Sequence, residues 1–172
     1  MAHPKQDQVR RCYGFRCGYC GVSESDAGSE LTVDHFRPIA FGGDESDENL
    51  VYCCFKCNLY KGDFFPSAED LKCGHELLHP LRDNPALFFR EDTQSGELEP
   101  LNETGRFHIQ LLQLNRPALI EYRLRRQLLG LLSERQKLLE IENARLRETI
   151  AALEAYISRL RAVLEFPFEE NL

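Results

Sequence analysis

Residues 49–63 read NLVYCCFKCNLYKGD, and this stretch decides how the chain folds. Inside it, Cys54-Phe-Lys-Cys57 forms a C-x2-C knuckle, in which a two-residue spacer lets both thiolates face one ion. A second knuckle, Cys17-Gly-Tyr-Cys20, lies upstream. Zinc takes four soft ligands in a tetrahedron, and two such knuckles supply them. The spacing therefore predicts a structural zinc on Cys17, Cys20, Cys54 and Cys57. The chain has seven cysteines, and its first residues, MAHPKQDQVRRC, lack the apolar core of an export signal. In a reducing compartment that favours metal ligation over disulfides. Cys53 adjoins a ligand on a strand and is expected to point the other way. Cys12 and Cys73 have no partner at ligand spacing. All three are expected to pack as small buried hydrophobes.

Working outward, LTVDHF (31–36) and NLVYC (49–53) read as two short strands joined by RPIAFGGDESDE, with Gly42-Gly43 allowing a sharp turn. CNLYKGDF then reads as a short helix ended by Gly62. Zinc would tie the segment before the first strand to the start of that helix. Further on, ALFFRED and GELEPL flank TQSG as a hairpin. ETGRFHIQLLQLN reads as a short helix, and Arg116-Pro117 ends it and opens another. Residues 117–164 read as one long helix, followed by EFPFEENL, broken at Pro167. Three segments follow: a zinc-bound unit over 1–63, a hairpin and short-helix extension over 64–116, and a helical segment over 117–172.

With 42% hydrophobic and 28% charged residues, the chain is neither disordered nor membrane-like. A cytoplasmic location is expected. The net charge is -7. Proteins that live on non-specific DNA affinity are usually basic, so any DNA contact here would depend on local clusters, a metal or a partner.

Asp34 and His35 stand side by side at the end of the first strand, where neighbours point to opposite faces. Two readings are open. They are solvated turn residues, or one holds a metal while the other handles a proton.

The order C-x2-C, DHFRP, GG, NLVYCCFKCN, KGD resembles the zinc-ribbon branch of the HNH nuclease family over residues 17–63. Residues 64–126 are more loosely similar to the segment that follows this motif in some bacterial members. The resemblance implies a ββα-metal (HNH, His-Me finger) nuclease core with a structural zinc; with the long C-terminal coiled-coil helix read from the spacing below, the expected fold class is α+β. The resemblance implies a DNA endonuclease with a bacterial defence or mobile-element setting. It also implies roles. His35 would be the general base, Asp34 a ligand of a catalytic divalent cation, and Asn49 the residue that steadies the loop. Asn58 stands where the family has its final histidine, making an H-N-N variant in which the amide oxygen would bind the ion. Oxygen ligands from Asp34 and Asn58 favour magnesium or manganese there. Histidine accepts a proton near neutral pH, and base and cation must flank the scissile phosphorus.

Lys61, three residues after Asn58, shares its helix face. Lys61 and Arg37 are expected to grip phosphate, against the plainer reading of solvated surface charges. His75 and His79, near Cys73, fit no metal quartet and read as surface or packing residues. His108 reads as a core histidine, and His3 as part of a loose terminus.

In the long helix, Leu132, Leu139, Leu146, Leu153 and Leu160 recur every seven residues. Gln136, Asn143, Ile150, Ile157 and Leu164 occupy the offset register. Such a heptad seam implies a partner helix, expected to be a second copy in a homodimer. A helix of a regulatory protein partner and a fold-back onto the nuclease unit are the alternatives, as is pairing that begins only near Leu129. Arg116, Arg123, Arg125 and Arg126 are either a DNA-backbone cluster or a solvated face. The competing functional reading is a non-catalytic zinc-binding scaffold for nucleic acid or protein that oligomerises by coiled coil.

Overall fold

The computed structural model describes residues 3–164; the tail expected to break at Pro167 lies outside the described residues. The chain divides into two units, the first running to Arg125 and the second beginning at Arg126. The division thus falls inside the long helix, after Arg125 rather than before Pro117.

The first unit is mixed α and β. Strand β1 (Thr32–His35) pairs antiparallel with β2 (Leu50–Cys53), in a register that sets Asp34 opposite Val51 and His35 opposite Leu50. Every residue of β2 is buried, which its continuous apolar run requires. Three helices precede or follow this pair at close range: α1 (Gln6–Cys12), α2 (Glu24–Ala27) and, directly after β2, α3 (Phe55–Lys61). Helix α3 begins two residues before the expected Cys57, because the Cys54 sulfur caps it by accepting from the Cys57 N–H. Gly62, at φ 52°, ends it.

Helix α4 (Ala68–Lys72) opens on a capping box between Ser67 and Asp70. Strands β3 (Phe89–Glu91) and β4 (Leu98–Pro100) form the second hairpin. Its turn is organised by the Asp92 carboxylate, which accepts from Gln94 and Ser95 backbone N–H groups. Asn102 caps α5 (Glu103–Leu111). Gly105 is obligatory in that helix, since a Cβ would lie 1.9 Å from the Phe88 carbonyl oxygen.

One apolar core runs through the unit. Val9 of α1, Leu31, Leu50 and Val51 of the β1–β2 layer, Leu77, Ile109 of α5, Leu112 and Leu119 belong to a single cluster. His108 is buried as a core residue, its Nδ1 accepting from the Leu78 N–H at 3.2 Å. His79 is buried against Phe36, and His75 stacks on Phe107. Cys53 is buried, but Cys12 and Cys73 are exposed, contrary to expectation, because α1 and α4 turn those termini outward.

Helix α6 spans Pro117–Leu164, 48 residues, which at 1.5 Å per residue is roughly 72 Å. Its first turns bury Leu119, Tyr122 and Arg123 within the first unit. In the second unit the seam leucines are open to solvent. Among the described residues, no helix is long and apolar enough to cross a membrane.

Candidate active site and zinc centre

The two knuckles converge. Cys17 follows a bridge between Arg16 and Ser23, and its carbonyl accepts from the Gly21 N–H at 2.8 Å, closing the first knuckle. The Gly18 N–H donates to the Tyr52 carbonyl at 2.8 Å and fastens that knuckle to β2. The second knuckle is the cap and first turn of α3. The sulfurs of Cys17, Cys20, Cys54 and Cys57 all lie within 4.8 Å of one another, and Cys20 and Cys54 are 3.8 Å apart. A zinc tetrahedron with bonds of about 2.3 Å has edges of about 3.8 Å. The cluster is therefore compatible with a structural zinc. The sulfurs compete for protons: hydrogen bonds led by Cys17 push Cys54 down, while those on Cys57, again led by Cys17, push it up. A divalent cation resolves that competition by keeping all four as thiolates.

Arg116 completes the centre. Its guanidinium lies 3.8 Å from the Cys54 sulfur and 3.7 Å from the Cys57 sulfur. Of the arginines read as either a DNA-backbone cluster or a solvated face, Arg116, Arg123 and Arg125 have partners within the chain. Arg123 is buried on the carbonyls of Gly96 and Leu114, and Arg125 pairs with Asp26 at 3.0 Å. Arg123 and Arg116 are thus drawn to backbone carbonyls and sulfurs of the first unit, while Arg125 stays exposed in a surface ion pair.

Beside the four-thiol cluster, β1 sends Asp34 and His35 to different partners. Asp34 Oδ2 lies 2.9 Å from Lys61 Nζ, on α3. That oxygen is shielded from solvent and makes no well-aligned hydrogen bond, so the contact is an ion pair alone. Burial raises the Asp34 carboxyl above its ordinary value, and Lys61 opposes the rise. Lys61 is wholly buried; besides Asp34 it donates to the carbonyls of His35 at 2.8 Å and Gly62 at 3.3 Å. The expectation that it grips phosphate gives way to a structural role, because its ammonium is buried between the Asp34 carboxylate and two backbone carbonyls. Arg37 stays exposed, its Nε donating to the Phe41 carbonyl and its guanidinium over the Phe65 ring.

Asn58 is on the same face of α3 as Lys61. Its Nδ2 reaches Thr32 Oγ1 at 3.5 Å, two residues before Asp34 on the same face of β1. Asp34 Oδ2 is buried beside the Lys61 ammonium without an aligned hydrogen bond, and the Asn58 amide lies across from its strand; carboxylate and amide oxygens are the ligand types a small hard cation takes.

His35 faces the loop. Its Nε2 lies 2.9 Å from Glu45 Oε1, and the other oxygen of Glu45 is 2.8 Å from His3 Nε2. The rings of His3 and His35 meet edge to face at 6.0 Å. His3 is thus not part of a loose terminus. The N-terminal segment is strapped to this loop, with Lys5 Nζ on Asp47 and on the Glu45 carbonyl and Gln8 on Asp47. Asn49 closes the loop base, accepting from the Arg37 N–H at 2.8 Å and donating to the carbonyls of Arg37 and Asp44. Gly43 is required there, because a Cβ would lie 1.8 Å from the Arg37 carbonyl oxygen. Glu45 carries no signal in the sequence, and His3 and Arg116 read there in other roles. Glu45 is one of four acids in DESDE, and nothing in its spacing distinguishes it.

Residues 17–64 match the model of the HNH endonuclease family. The four-cysteine cluster is consistent with that family's zinc-ribbon branch, and the β1–β2–α3 unit fits its ββα-metal fold. An HNH domain points to a nuclease-type function. No curated protein and no solved structure matches the chain significantly.

Proposed function

We propose that the chain is a metal-dependent DNA endonuclease that hydrolyses phosphodiester bonds. One observation carries this reading: adjacent Asp34 and His35 diverge, one carboxylate on the α3 side and one imidazole on the loop side. His35 takes the proton from the attacking water, a task suited to an imidazole near neutral pH. Asp34 and Asn58 would hold magnesium or manganese, which when bound stabilises charge on the phosphate and the departing oxygen. Arg37, exposed beside the loop, binds phosphate. Asn49 keeps the loop and the β1 end in register. Lys61 holds Asp34 and the His35 backbone in place.

The second unit supports a homodimer. Leu132, Leu139, Leu146, Leu153 and Leu160 are each 42–55% exposed in the single chain, a continuous apolar line that a second copy would cover. Two copies carry two cutting sites, and double-strand cleavage by paired nicks suits defence against foreign DNA. Sedimentation of purified protein at micromolar concentration is expected to give twice the chain mass; a strict monomer removes the dimer.

The scaffold reading is favoured by the net charge of -7, which repels a DNA backbone. Supercoiled plasmid incubated with magnesium, with manganese or with chelator separates the two. The nuclease reading expects metal-dependent nicking that His35→Ala abolishes. Absence of nicking with either metal, or equal nicking by the variant, favours the scaffold.

A further inference from the structure

In the cluster of His3, Glu45 and His35, the first two lie outside the residues that the motif accounts for. Its three donor atoms fall within 4.8 Å of one another, a distance that also suits a metal ion. The protons decide between the two. The Lys5 backbone N–H donates to His3 Nδ1 at 3.1 Å, so that nitrogen is an acceptor. The proton of a neutral His3 therefore sits on Nε2, which faces Glu45 Oε2. A nitrogen that carries a proton donates and does not ligate.

Glu45 is half-open to solvent and ionised near neutral pH; its hydrogen bonds from His35 first and His3 second hold its carboxyl below the ordinary range. A carboxylate only accepts. His35 must then present Nε2–H to Oε1, and its free lone pair is on Nδ1.

We propose that Glu45 is a positioning residue for His35: held from its second oxygen by His3, it fixes the Nε2-protonated tautomer and leaves Nδ1 to take the proton. The N-terminal segment thereby becomes part of the site, since His3, Lys5 and Gln8 all anchor residues 45–47. The consequence for catalysis rests on the nuclease reading; the tautomer does not.

The test uses the full, zinc-loaded chain. Long-range proton–nitrogen spectra of the imidazoles at neutral pH are expected to show His35 as the Nε2–H tautomer in the wild type. Glu45→Ala mixes the two tautomers of His35. It lowers kcat for plasmid nicking about tenfold or more, part of the 10²–10⁴ that a general base contributes, with KM unchanged. His3→Ala gives a smaller loss of the same kind, and His3→Gln, which restores an N–H donor, recovers it. A tautomer unchanged in Glu45→Ala overturns the proposal, as does unchanged kcat. So does a second equivalent of zinc that shifts the His3 and His35 nitrogens together, since that makes the cluster a metal site. A wild type that never nicks but keeps the Glu45-dependent tautomer sinks the nuclease reading and leaves the positioning contact standing.

Discussion

Between Cys17 and Gly62, inward-facing polar groups other than the Tyr19 hydroxyl find partners within the chain: sulfurs face sulfurs, Lys61 meets Asp34, and Asn49 closes its loop. From Leu128 to Leu164, apolar side chains at seam positions find none. The two regions obey different physics. The first specifies itself through a dense set of polar contacts and a four-thiol centre. The second has a pattern that makes sense only with another helix beside it. What breaks one region should therefore leave the other intact, and four experiments measure that separation.

Removing the zinc ligands is expected to have the largest effect. Structural zinc contributes on the order of 10 kcal/mol in small zinc-bound folds. Cys57→Ala should reduce bound zinc from about one per chain to none and erase the near-UV dichroism of the tyrosines, while helical signal from residues 126–164 persists. Loss of both signals together would show that the regions fold as one.

Next comes the buried ion pair. Lys61→Met leaves Asp34 without its counter-charge, and losing one partner of such a pair costs about 3–5 kcal/mol. Urea unfolding should show that loss, and magnesium should restore part of it, because a cation at Asp34 replaces the ammonium. Indifference to magnesium would count against Asp34 as a ligand.

His108 gives the third. Burial lowers its imidazole from 6.5 to about 4. The unfolded chain takes up that proton at the ordinary value and the folded chain does not. Stability from this group is full above pH 6.5 and is lost as pH falls toward about 4, by up to about 1.4 kcal/mol per pH unit. Wild type minus His108→Gln, measured by urea unfolding across that window, should isolate the slope. A flat difference would show that His108 takes its proton while folded.

The smallest effect belongs to the seam. Asn143→Leu replaces a polar residue whose Nδ2 donates to the Leu139 carbonyl. It should strengthen helix pairing by about 1 kcal/mol, raise the helical melting midpoint and blur the oligomer state read by sedimentation. The first unit's melting should not move.

The elements that carry site chemistry were legible because each has a short-range rule. The knuckle spacing fixed the thiol cluster, period-2 geometry sent Asp34 and His35 apart, and the β1–loop–β2–α3 order could be read from turn residues. Helices α1, α2 and α4 were not foreseen, since runs of four to seven residues show too little periodicity to stand out. The partners of the site residues escaped for another reason. Glu45 meets His35 across ten residues, His3 meets Glu45 across 42, and Arg116 meets Cys54 across 62. Such pairings are set by how elements pack, and local pattern holds no trace of them. Lys61 was misjudged on the same ground: it shares the Asn58 side of α3, yet its ammonium runs inward to Asp34 and the His35 carbonyl.

Arg116 gives the thiol centre a chemical character of its own. Four thiolates around a zinc ion would leave an excess of two negative charges, and the one guanidinium at the Cys54 and Cys57 sulfurs would offset half of that. Electron-poor sulfur is a slow target for peroxide. With Arg116 against them, the sulfurs at the cap of α3 should resist peroxide longer than they would beside a neutral side chain.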